Sequence, residues 1–159
     1  MKVTKLLVLL VVLALVLTSC AASKPGAKMT FAMVTDQNGL GDQGFNDSAY
    51  EGLKKAEKEF GSKPKVVESR EASQYVPNLT TLAEQKVDMV VGVGFLLTDA
   101  IKEVAAKYPN VHFVLVDSVV EAPNVANVLF MDEEGSFLVG AIAGLMTQKN
   151  IVCYVGGIE

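Results

Sequence analysis

The sequence predicts an α/β protein built as a parallel sheet flanked by helices on both faces. Two observations carry this expectation. From Met29 onward, short apolar runs alternate with longer amphipathic segments, and the apolar runs lack the polar-apolar alternation of a half-exposed sheet. Strands that read as continuous apolar runs are buried on both faces, and alternation with helical segments implies βαβ crossovers in one parallel sheet. Such crossovers are right-handed, and ligands bind outside the carboxyl ends of the strands. Residues 36–46, 95–98 and 117–118, each just after an apolar run, are therefore the ones to watch.

The elements follow in order. Residues 29–35 (MTFAMVT) read as the first strand. After a Gly-rich loop, a helix through Phe60 carries Phe45, Ala49, Leu53, Ala56 and Phe60 on one face, with Gly61 as its stop. Residues 65–68 form a short second strand. Residues 73–86 form a second helix, whose Pro77 falls in the opening turn, where a missing N–H is tolerated. Residues 89–94 make a third strand and 98–107 a third helix bearing Ala100, Ile101, Val104 and Ala105. Strands at 111–116 and 124–130, a helix at 135–147 led by the acidic Asp132, Glu133 and Glu134, and a sixth strand at 151–155 complete the pattern.

The first twenty residues carry a different signal. Lys2 and Lys5 precede an unbroken apolar run from Leu6 to Leu17, well short of the roughly 20 residues of a spanning helix. Leu17-Thr18-Ser19-Cys20 then resembles a bacterial lipobox, in which cleavage leaves an N-terminal cysteine that carries lipid. Residues 1–19 are expected to be a lipoprotein signal peptide and 20–28 a lipidated linker. Residues 29–130 are expected to form an α/β lobe held on the extracytoplasmic face of the cell membrane by the anchor at Cys20. Of the 14 basic residues, Lys2 and Lys5 would leave with the leader, so 12 would face 18 acidic ones, a formal charge of −6. That balance, with no basic block, argues against nucleic acid as a partner. Cys153, the only other cysteine, reads as a small core hydrophobe, and two isolated cysteines offer no zinc spacing. The single histidine, His112, falls inside a strand and reads as a packed or edge residue. No triad, metal cluster or cofactor site emerges, so the chain does not read as an enzyme.

The loop at residues 36–47 (DQNGLGDQGFND) fits several patterns. Gly39-Leu40-Gly41-Asp42-Gln43-Gly44 matches the dinucleotide fingerprint, with Glu68 where a ribose-binding acid would lie. Asp36, Asn38, Gly41, Asp42 and Asp47 approximate a calcium loop, although Leu40 stands at a ligand position and a strand precedes it. A third reading is structural: the glycines supply turns, and Asp42 or Ser48 caps the helix, Ser48-Ala49-Tyr50-Glu51 having capping-box form.

Several segments together resemble the basic membrane protein family of purine-nucleoside-receptor lipoproteins. They are Met33 to Asp36, Asp42 to Asn46, Ala49 to Leu53, Tyr75 to Leu79, Val91 to Ile101, Ser136 to Gly140 and Val155 to Gly157. The resemblance implies a periplasmic-binding-protein type I lobe and a purine nucleoside held in an inter-lobe cleft for delivery to an ABC importer permease. It assigns ligand contacts to Asp36, Phe45, Asn46 and Asp117. A flat apolar base with a rim of donors asks for an aromatic plane and fixed acceptors, and Phe45 and the two aspartates are of those types. Members of the family run to about twice this length, so 131–159 is expected to be the start of a truncated second lobe. Two other functions stay open: a surface lipoprotein that binds host or envelope macromolecules, and an exported dinucleotide-binding enzyme.

Overall fold

The computed structural model describes residues 29–156. The expected signal peptide, Cys20 and the linker to residue 28 lie outside the described residues. The elements are β1 (Phe31–Val34), α1 (Phe45–Phe60), β2 (Lys65–Val67), α2 (Tyr75–Glu84), β3 (Met89–Val93), α3 (Thr98–Lys107), β4 (His112–Val116), β5 (Val125–Val128) and α4 (Asp132–Met146). Short 3-10 turns at Ala72–Gln74 and Phe95–Leu97 lead into α2 and α3.

All five strands are parallel, in the order β2-β1-β3-β4-β5. β1 is an interior strand, paired on both edges beside the central β3: Ala32 stands beside Lys65 on one side and Val90 on the other. Its alternate residues feed two cores. Ala32 and Val34 pack with Leu79 and Leu82 of α2, Ile101 and Val104 of α3, and Val90, Phe113 and Leu115 of the neighbouring strands. Phe31 and Met33 pack with Leu53, Val93 and the half-buried Ala49, Tyr50 and Ala56 of α1. The sheet is thus covered on both faces, which explains why its strands read as continuous apolar runs.

Local choices fix the helices. α1 ends where Gly61 takes φ 67° and its N–H donates to the Glu57 carbonyl, a left-handed C-cap. In β3, a Cβ on Gly92 would run into the Ile101 side chain of α3, which would have to shift to make room. Buried Asn124 ties down the end of α3, its Nδ2 lying 3.2 Å from the carbonyls of Ala105 and Tyr108 and 2.9 Å from that of Val111.

One open choice is resolved and two expectations are corrected. Ser48 does not cap α1; it sits inside the helix, which begins at Phe45. Residues 151–155 form no strand among the described residues, and Ile151, Val152, Tyr154 and Val155 are exposed. Cys153 there is also exposed and not a core residue. An apolar β-branched run becomes a strand only beside a partner edge, and the ladder ends at β5. α4 has no buried residue, with Phe137, Leu138, Val139, Ile142, Leu145 and Met146 all exposed.

Candidate functional site

The chain leaves β1 toward β2 on one side and later reaches β3 on the other, so the switch point of the sheet lies at the carboxyl ends of β1 and β3. Asp36 follows β1 and Gly94 follows β3. A Cβ on Gly94, whose φ is 92°, would come 3.7 Å from Asp36 Oδ2, so the two strand ends meet here.

Asp36 is half-buried and held in place. Its Oδ1 accepts from the Asn38 amide at 3.0 Å and from Asn46 Nδ2 at 2.7 Å, and its Oδ2 accepts from Asn38 Nδ2 at 2.9 Å. Thr35 before it is fully buried, its hydroxyl accepting from the Ser69 amide.

The Gly-rich loop between Asp36 and α1 is folded around carboxylates of this same chain. Glu68 accepts from the Leu40 amide at 3.0 Å. Asp47 accepts from the amides of Gly41 and Gln43 at 2.8 and 3.0 Å. Asp42 accepts from those of Gly44, Asn46 and Asp47. The Gln37 amide donates to the buried Tyr75 hydroxyl. Burial pushes the Asp42 carboxyl up, but the three amides and the Asn46 side chain outweigh this and hold it below the ordinary carboxylate value. Asp42, not Ser48, therefore caps the start of α1.

This geometry decides between readings of the loop. A dinucleotide loop offers free amides to a pyrophosphate, whereas these amides already face Glu68, Asp47 and Asp42. A phosphate would have to displace a carboxylate and stand against two others. The dinucleotide fingerprint is a coincidence of glycine spacing: Gly39 serves a close approach instead, since a Cβ there would lie 2.7 Å from Glu68 Oε2. The same hydrogen bonds occupy the acids of the calcium-loop pattern, and no group of potential metal ligands occurs among the described residues.

Of the four residues expected to contact ligand, Asp36 and Asn46 are brought together directly. Asn46 is only 1% exposed and lies beneath the site, its Nδ2 bridging Asp36 and Asp42 Oδ2. Phe45 is 47% exposed and meets Phe130 edge-on, with ring centroids 5.7 Å apart and planes at 64°. It is no core residue. Phe130, exposed just past β5, is a site neighbour that sequence reasoning missed, because it reads as the tail of an apolar strand. Asp117 ends β4 with φ 67°, its N–H donating to the Val128 carbonyl at 2.8 Å. Burial, and then the Asp132 carboxylate, push its carboxyl up. Among the described residues it hydrogen-bonds none of the other three.

A doubly covered parallel sheet with an acid-lined carboxyl edge is the architecture of an α/β ligand-binding lobe. Residues 29–159 match the family described as ABC transporter substrate-binding protein PnrA-like, or Bmp. The chain belongs to that family, one of substrate-binding proteins. It is 39% identical over 142 residues to a CD4+ T-cell-stimulating antigen of Listeria monocytogenes, covering 86% of this chain and 40% of that one. It is 35% identical to an ABC transporter nucleoside-binding protein of Lactococcus lactis, covering 89% and 42%. Among solved structures, an ABC transporter solute-binding protein of Aeropyrum pernix superposes with a TM-score of 0.69 at 30% identity, over 73% of this chain and 32% of that one. The chain thus spans about two fifths of the length of the curated relatives it matches.

Proposed function

We propose that this chain forms one wall of a cleft that captures a purine nucleoside for an ABC importer permease, on a lipid anchor at Cys20. The observation that carries the reading is the Asp36 carboxylate, held half-buried at the switch point by Asn38 and by Asn46, the latter being the residue that follows the exposed Phe45 in the chain. Phe45 offers a plane for the base, worth about 1–3 kcal/mol per stacked base. Asp36 and Asp117 offer acceptors for base N–H groups or ribose hydroxyls, and Asn46 acts through Asp36. The name of the Lactococcus lactis relative supports a nucleoside. The surrounding acids favour an uncharged nucleoside over its phosphates.

The test joins residues 29–159 to the remaining part of the Lactococcus lactis protein and titrates the fusion calorimetrically with inosine, adenosine, AMP and NAD. Nucleoside binding without AMP or NAD binding is expected. Phe45→Ala should weaken it about tenfold to a hundredfold, while Phe45→Tyr should be nearly neutral. Binding of NAD alone would overturn the reading. The 159-residue chain by itself should show no measurable nucleoside binding, and micromolar affinity there would overturn the two-wall site.

A further inference from the structure

Thr98, the first residue of α3, joins two loops at the sheet edge. Its hydroxyl lies 2.9 Å from Ser118 Oγ and also reaches the Phe95 carbonyl. The carbonyl can only accept, and Thr98 has a single hydroxyl proton. Thr98 therefore donates to Phe95, and Ser118 donates to Thr98. The result is a directed chain from the loop after β4 to the loop after β3.

Asp117 stands between two fixed points. On one side its own amide is held by Val128 of β5, and on the other its successor Ser118 is held by α3. Between them it takes φ 67°, a left-handed conformation uncommon for residues with a Cβ, though aspartate tolerates it better than most. The ends of β3 and β4 are also tied, the Gly94 amide donating to the Val116 carbonyl at 3.1 Å. Thr98 and Ser118 are both half-buried, so water competes with their contact less than it would on an open surface.

We propose that Thr98 is a positioning residue that, through Ser118, holds Asp117 in its left-handed conformation and so sets where its carboxyl stands at the sheet edge. The functional weight of this rests on reading that edge as the solute site. A merely local role for Thr98, closing the turn onto Phe95, would leave Asp117 indifferent to Ser118.

The experiment is backbone NMR of the full chain in detergent, comparing Thr98→Val, Thr98→Ser and Ser118→Ala with the wild type. Asp117 should lose the left-handed signature of its Cα and Cβ shifts in Thr98→Val and in Ser118→Ala, and keep it in Thr98→Ser. The amides of Ala100 to Lys107 should stay in place, which separates loss of positioning from loss of α3. An unchanged Asp117 in both Thr98→Val and Ser118→Ala would overturn the proposal. The readout needs no ligand, so its failure is distinct from failure of the nucleoside reading, which the titrations above decide.

Discussion

Asn46 donates from Nδ2 to Asp36 Oδ1 at 2.7 Å, while its own Oδ1 is buried with no partner among the described residues. The same nitrogen reaches Asp42 Oδ2 at 3.1 Å, so one amide group bridges two carboxylates. Turning the amide over would set its oxygen against both acids. Charge therefore fixes its orientation, even though an orphaned buried acceptor costs about 1–3 kcal/mol.

Asn46→Asp should for that reason be far worse than its size suggests. It replaces the bridging donor with a third carboxylate in a buried position, and an uncompensated buried charge costs about 3–5 kcal/mol. Urea unfolding at neutral pH should show the loss. An Asn46→Asp protein as stable as the wild type would refute the bridge.

Acid should loosen the loop before α1. The Asp42 carboxyl is held below its ordinary 3.8, so the stability it contributes is complete above pH 3.8 and is lost as pH falls through the lower folded value. Asp42→Ala should cost about 0.5–2 kcal/mol at neutral pH, as loss of a helix cap does, and should flatten the acid limb of the stability curve. Unfolding midpoints measured between pH 2 and 6 check both.

Asp117 works in the opposite sense. Its carboxyl is pushed above 3.8 by burial and by Asp132, so its favourable contribution is complete only below pH 3.8 and is lost as pH rises through the higher folded value. Asp117→Asn should therefore raise the urea midpoint at pH 7, with the gain vanishing in acid. In the fusion with a second lobe the same change should weaken nucleoside binding. A lower midpoint at pH 7 would contradict the sign.

Much of this was legible in the residues themselves. α3 runs from Thr98 to Lys107 as its periodicity demands, and the apolar runs at Met33, Val90 and Phe113 lie in strands of one parallel sheet. What stayed hidden depends on which amides, edges and faces the fold leaves free. Ser48-Ala49-Tyr50-Glu51 has capping-box form, but the Asp42 carboxylate already takes the amides at the start of α1. The run at 151–155 has strand composition, yet composition carries no information about an available edge. Phe45 reads as the first member of a helical stripe, and only the fold shows that this face turns outward at its first turn, toward Phe130. The left-handed state of Asp117 is only weakly signalled, since glycine is the commonest residue there and aspartate, though it tolerates the conformation, occurs mostly elsewhere.

Cys20→Ala should abolish lipid attachment and leave the chain uncut or released, because Cys20 is the residue that cleavage would expose and acylation would modify. One myristoyl-length chain binds membranes only marginally, so stable anchoring needs the several chains of a bacterial lipoprotein. Radiolabelled palmitate should enter the wild type alone, and equal labelling of the variant would refute the anchor.

The pairing of β1 on both of its edges also sets an order of events during synthesis. The strand most completely enclosed is the first to be made, and neither of its hydrogen-bonding neighbours exists when it emerges: Ala32 waits first for Lys65 and then for Val90. At about 5–20 residues per second, the second wait lasts on the order of three to twelve seconds. Throughout it, an apolar segment with one or both backbone edges open is free to pair wrongly. The nascent chain is therefore most vulnerable before β3 arrives, and slowing translation between β1 and β3 should increase misfolding more than slowing it after β4.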